Sequence, residues 1–128
     1  MQLATANSLK ISDAIAWKSL KQLVYKFSFK PREAMILMGD IPKATYYAGI
    51  GHYQGKLNRD QLERISYLLG IYKALVILFD DRQQAMSWII RNNSLPPFYG
   101  KTPKEFMLEG SIVRLSEVRR FLDFWRGY

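Results

Sequence analysis

The sequence has no cysteine and a single histidine, His52. Without cysteine there is no disulfide, no thiolate metal site and no cysteine nucleophile, a composition that fits a reducing compartment. His52 has no neighbouring acid or second histidine with which to assemble a metal-ligand set. It also lacks the oriented nucleophile that catalysis would need. No apolar run approaches the roughly 20 residues required to span a bilayer. The N-terminus shows no basic segment followed by an apolar core, so no signal peptide is expected. Sustained period-two alternation is absent too, which removes the main signal for strands. Gly49, Gly51 and Gly55 do not have the G-x-G-x-x-G spacing, and no strand precedes them, so they are not expected to form a dinucleotide loop. These absences point to a cytoplasmic binding protein with no metal, cofactor, membrane or small-molecule substrate, and not to an enzyme.

What is present suits an all-α protein. The chain has 128 residues, 48% apolar and 23% charged, enough for one domain or two very small ones. Its net charge is +8, which favours anionic partners, nucleic acid foremost. Residues 1–57 carry 8 basic and 3 acidic side chains, net +5, and residues 58–128 carry 11 and 8, net +3. The basic excess is denser in the first part, so a nucleic-acid face is expected there.

Helical periodicity runs through the chain. Ala16, Leu20, Leu23, Val24 and Phe27 form one stripe, with Ser12 as its expected N-cap. Pro31 at a first helical position opens a second helix that ends at Gly39. Pro42 opens a third, which the glycines at 49, 51 and 55 are expected to end. Asn58 caps a fourth, with Leu62, Ile65, Leu68 and Leu69 inward; Gly70 either interrupts it or the helix runs on to Phe79. Asp80 and Asp81 cap a segment holding Ala85, Trp88 and Ile89, and a loop follows at residues 92–97. Thr102, Pro103 and Glu105 form a further helix start. The last helix is expected to begin near Ser116. The boundary between two modules, 1–57 and 58–128, is placed at the glycine-rich stretch.

Four groupings carry the functional reading. The short helices before Gly51 have the helix-turn-helix pattern. Lys43, Thr45, Tyr46 and Tyr47 would then enter a major groove, while Lys30, Arg32, His52 and Lys56 would lie near phosphates. A plain three-helix bundle with a solvated basic face is the alternative, and the positive charge tilts toward DNA. Glu105 and Glu109 share a helix face at i, i+4, which reads as a solvated face and not as an acid–base pair. Nine apolar residues between Ile65 and Phe79 suggest either a homodimer seam or a buried hairpin core. Finally, Phe121, Phe124, Trp125 and Tyr128 crowd the last helix beside arginines, the composition of a protein–protein hot spot.

Particular stretches resemble a known family. Gly39 to Tyr47 (GDIPKATYY) is similar to the DNA-reading turn of the MbcA/ParS/Xre antitoxins. Leu57 to Leu75 (LNRDQLERISYLLGIYKAL) resembles their central helices. Ala85 to Trp88 with Asn92-Asn93, Phe98 to Pro103 (FYGKTP), and Val118 to Asp123 with Arg126-Gly127 resemble their later helices and loops. The resemblance covers about residues 30–128. It implies an N-terminal helix-turn-helix that binds operator DNA, and a C-terminal domain that binds a RES-domain toxin, a family that degrades NAD. It further implies that Phe98, Tyr99, Gly100, Thr102, Pro103 and Phe106 face the toxin, together with Arg120, Phe124, Trp125, Arg126, Gly127 and Tyr128. In two places the sequence departs from the family pattern. Ala48-Gly49-Ile50 follows the paired tyrosines where a tryptophan and basic residues are expected, and Pro96 to Tyr99 replaces a more glycine-rich loop. A stand-alone helix-turn-helix repressor without a toxin is the alternative function.

Overall fold

The computed structural model describes the backbone of residues 2–127 and the side chains of residues 13–127. Tyr128 and the Ser12 side chain lie outside the described residues. Among the described residues seven α-helices follow one another: α1 (Gln2–Phe27), α2 (Pro31–Leu37), α3 (Lys43–His52), α4 (Arg59–Leu78), α5 (Arg82–Ser87), α6 (Pro103–Met107) and α7 (Ile112–Arg126). A 3₁₀ turn at Trp88–Ile90 continues α5. Among the described residues there is no strand, and no helix is long and apolar enough to cross a membrane.

Helix α4 is the central element. Its side against α7 is the most extensive packing in the molecule, and it also meets α1 and α5. Asn58 starts it by accepting from the Gln61 N–H at 2.8 Å, while the Gln61 side chain accepts from the Asn58 N–H at 2.9 Å; this reciprocal box satisfies two otherwise unpaired donors. Ile65, Leu68, Ile71, Ala74 and Leu75 are buried along one stripe. The apolar density between residues 65 and 79 is therefore largely covered within the chain, and Ile77, 61% exposed, is the main exception.

Several helix ends differ from the sequence expectation. Helix α1 extends back to Gln2, so Ser12 lies within it and does not cap it. Helix α3 passes through Gly49 and Gly51 and ends at Tyr53, a left-handed residue with φ 55°. Gly49 is there for close approach and not for a stop: a Cβ at this position would collide with the buried Trp17 ring. Gly70 likewise sits inside an unbroken α4, where it leaves space for the Arg119 guanidinium. Helix α7 begins at Ile112, capped by Ser111, a turn earlier than Ser116. Helix α6 stops at Met107, so Glu105 and Glu109 do not share a helical face. Glu105 instead reaches back to the Thr102 N–H, and Glu109 pairs with Arg114 at 2.9 Å.

Contacts run across residue 57. Helix α1 packs against α4 and α5, while Trp17 Nε1 donating to the Gly55 carbonyl at 2.8 Å and Asp13 accepting from the Leu57 N–H at 3.4 Å fasten the stretch that leads up to residue 57. The Lys104 ammonium on α6 pairs with Glu33 on α2 at 3.0 Å. Buried residues of both parts belong to one apolar cluster.

Candidate functional site

Helix α7 sorts its side chains by face. Leu115, Val118 and Leu122 are buried, as their i, i+3, i+7 spacing against α4 requires. Phe121 is turned toward the loop that precedes α6. From it a chain of ring contacts leads outward from the core: Phe106 to Phe98 at 5.2 Å between centroids, Phe98 to Phe121 at 5.1 Å, Phe121 to Trp125 at 6.2 Å, and Trp125 to Phe124 at 5.7 Å. Several of these pairs meet edge to face, a favoured arrangement that adds about 0.5–1.5 kcal/mol per pair beyond area burial. The chain ends in solvent, with Trp125 55% and Phe124 72% exposed.

Between that end of α7 and the preceding loop lies a groove of about 470 Å³, lined by Leu95, Pro96, Pro97, Glu117, Arg120, Phe121, Phe124 and Trp125. Its far wall is held by asparagines. Asn93 accepts from the Leu95 N–H at 3.0 Å through its side chain, and its carbonyl accepts from the Gly100 N–H at 2.7 Å. Asn92 Nδ2 donates to the Gly100 carbonyl at 2.9 Å. The Pro96–Pro97 peptide is cis. Tyr99 and Gly100 both have positive φ, 49° and 98°, and Tyr99 projects into solvent.

The structure separates the residues that the resemblance assigns to toxin contact. Arg120, Phe124 and Trp125 line the groove, and Tyr99 is exposed on the loop behind it. Phe98, Pro103 and Phe106 are turned inward, Phe98 at 1% exposure, so they shape the wall from behind and present little surface themselves. Thr102 is the N-cap of α6. Arg126 is only 12% exposed and pairs with Asp123 at 3.6 Å; it lines a separate depression with Gly70, Tyr72 and Ile77, not the aromatic groove. Gly127 caps α7 with φ 90°. Leu95, Pro96, Pro97 and Glu117 are groove residues that the sequence reading did not pick out. Their only signal was proximity to the Asn-Asn loop and the i, i+4 step from Glu117 to Phe121.

The residues read as DNA contacts lie on and around α2 and α3. A tight turn joins these helices, with Gly39 at φ 88° and Asp40 at φ 60°. Lys30, Arg32, Lys43, His52 and Lys56 are exposed, Tyr47 is 46% exposed and Thr45 is half-buried. Tyr46 has a different place from the one expected of a base-reading residue. It is 2% exposed and packs into the core, its ring 5.3 Å from that of Tyr47. Burial, with the adjacent Tyr47 phenol, pushes the Tyr46 pKa above the ordinary value of 10.0. Glu33 begins α2 by accepting from the Lys30 N–H at 2.8 Å.

Residues 74–127, from the last turn of α4 through α7, match the family described as the antitoxin Xre/MbcA/ParS C-terminal toxin-binding domain. The chain is also 42% identical over 95 residues to a protein of Sinorhizobium fredii described as uncharacterized protein y4oB; the match spans 71% of this chain and 68% of that protein.

Proposed function

Since the chain belongs to the Xre/MbcA/ParS antitoxin family, with a toxin-binding domain and hence a toxin as partner, we propose that the aromatic end of α7 and the groove beside it are where that toxin docks. One observation carries the reading: Phe124 and Trp125 stand largely exposed at the end of a ring chain anchored in the core. Large, rigid, amphipathic rings offer contact area at low entropic cost and concentrate binding energy. Arg120 and Glu117 at the rim supply directional polar contacts.

The toxin we propose is a RES-domain protein that degrades NAD, and the inhibition is by occupancy, with no chemistry from the antitoxin. Operator binding and autoregulation form the second part of the proposal. The turn between α2 and α3 and the exposed Lys30, Arg32, Lys43, His52 and Lys56 support it, with Thr45 and Tyr47 as the groove-facing side chains. Residues 1–57 would serve as the DNA-binding module and 58–128 as the dimerisation and toxin-binding module. A homodimer would place two α3 helices about one helical turn of DNA apart. Its support in α4 is narrower than the apolar density alone suggests, because most of that surface is covered within the chain. A cytoplasmic location follows from the nature of both partners.

The test is co-expression with the product of the neighbouring gene. A stable co-purified complex, and restored NAD in cells making that toxin, is the expected result. Absence of any complex, with specific promoter binding retained, would instead favour a stand-alone repressor.

A further inference from the structure

The lysines of α1 lie outside both sites described above. Lys18, Lys21, Gln22 and Tyr25 fall at i, i+3, i+4 and i+7, one stripe of a helix. All are exposed, Tyr25 at 85%. Facing the stripe is Tyr53, the residue that ends α3. The ammonium groups of Lys18 and Lys21 sit 5.7 and 5.5 Å from the centre of its ring, within cation–π range. With Lys26 these side chains line an open groove of about 500 Å³.

No carboxylate among the described residues pairs with Lys18, Lys21 or Lys26. Asp13, the one acid of α1, is instead engaged with the Leu57 N–H. The structure therefore holds Lys18 and Lys21 together beside the Tyr53 ring with no counter-charge among the described residues, while the Lys26 ammonium lies over the Tyr72 ring at 5.1 Å. Tyr53 is also flanked in sequence by the exposed His52 and Lys56, so the positive surface continues around the end of α3.

We propose that this stripe and Tyr53 form a second phosphate-binding surface, which grips the DNA backbone beside the α3 contact. The proposal rests on the duplex-binding reading above. The lining chemistry favours nucleic acid over an acidic protein. Protein interfaces are enriched in aromatic residues, arginine and methionine and depleted in lysine; this groove has two tyrosines, but half of its six lining residues are lysines, with no arginine and no aliphatic side chain. Lysine acts as a mobile point charge that can follow a phosphate backbone without demanding one geometry. Contacts of this kind position a protein on DNA and carry no base sequence.

The test uses the full chain and a random duplex of about 25 base pairs, titrated by fluorescence anisotropy between about 50 and 200 mM salt. The variant is Lys18→Gln with Lys21→Gln, both exposed, and a second variant, K18E/K21E, reverses the charge. A charge-matched control carries Lys73→Gln and Arg91→Gln. The glutamine pair is expected to reduce the salt slope by about two and the affinity at about 0.1 M salt by about tenfold or more. The glutamate pair should lose more, the control less than about threefold, and toxin capture should not change. An unchanged slope in both lysine variants overturns the inference while leaving the DNA reading in place. An equal loss in the control also overturns it, by reducing the effect to bulk charge. Loss of toxin capture with duplex affinity intact assigns the stripe to the protein partner instead. A wild-type chain that binds no duplex at about 50 mM salt overturns this inference and the DNA reading together.

Discussion

Arg64 Nη1 on α4 donates to the Gly110 carbonyl, in the turn between α6 and α7, at 2.8 Å, and also to the Leu37 carbonyl at the end of α2 at 3.1 Å. Its Nε pairs with Asp60 at 2.8 Å. One buried guanidinium thus ties the end of α2 to the turn that leads into α7. Arginine spreads its donors over separate nitrogens in a rigid planar fork, so Nε and Nη1 reach these acceptors at once, whereas a lysine ammonium holds all three of its donors on one nitrogen.

Removal of Arg64 should be among the most damaging single changes. Arg64→Ala leaves buried carbonyls without a donor and opens a gap, at an expected cost of about 2–4 kcal/mol. Arg64→Lys should recover less than half of that loss. Urea unfolding at fixed temperature measures both, and an alanine variant within about 0.5 kcal/mol of wild type would show the tie to be dispensable.

The two glycines of α3 should respond in opposite directions. Gly51→Ala meets no atom within 4 Å, and alanine in place of glycine in a helix should stabilise by about 0.5–1 kcal/mol. Gly49→Ala would drive a methyl into the Trp17 ring, and overpacking of this kind costs about 1–3 kcal/mol. Thermal unfolding of the pair should show one midpoint rising and the other falling.

Glu33 should contribute an acid-sensitive part of the stability. Burial pushes its carboxyl up, but the Lys30 N–H, the hydrogen bond from Lys104 and the charges of both lysines outweigh burial and hold the pKa below the ordinary 4.5. A carboxylate with a depressed native pKa contributes stability that is fully present above its unfolded pKa and lost as pH falls through its folded one. Wild type should therefore lose stability below about pH 4.5. Glu33→Gln should be less stable than wild type at pH 7, with the difference shrinking toward pH 3. A difference that stays constant across this range would mean that the charge is not what matters.

Helix starts were the most legible part of the sequence, because capping is local chemistry. Asn58 with Gln61, Thr102 with Glu105, and Pro31 at a first turn each announce themselves within four residues. Helix ends at glycine were legible in part: Gly39 follows the end of α2 as expected, whereas the glycines of α3 do not end their helix. Gly49 resembles a stop until Trp17, thirty-two residues earlier in the sequence, is seen to need its missing side chain. Nor could adjacent identical residues reveal that Tyr46 turns inward and Tyr47 outward. Arg64 had a signal that could have been read: with Leu68, Ile71 and Leu75 it falls at i, i+4, i+7 and i+11, a charge on an apolar stripe. The exposed end of α7 was legible from composition, since Phe121 and Trp125 fill one face and Phe124 falls on the next, more aromatic surface than one helix usually buries at once. Which arginine faces the groove was not, because Arg126 is drawn away by Asp123.

That end of α7 allows a test in which loss of binding is separated from loss of fold. Phe124 and Trp125 are 72% and 55% exposed, so truncating them should change stability by less than about 1 kcal/mol. If they anchor the toxin, each alanine change should cost about 2 kcal/mol or more of binding, roughly thirtyfold in affinity. Phe121 provides the contrast. It packs on Phe98 at 5.1 Å and Trp88 at 5.8 Å, and Phe121→Ala should lower the unfolding midpoint as well as toxin affinity. Arg126→Ala should disturb the Asp123 pair more than the toxin contact. Calorimetric titration of purified toxin against each variant, with unfolding curves run in parallel, distinguishes these outcomes. Wild-type affinity in a Phe124→Ala/Trp125→Ala double variant would move the docking surface elsewhere, with the exposed Tyr99 loop next in line. Toxin affinity lost in proportion to unfolding, for all three aromatic variants alike, would reduce the ring chain to a structural element.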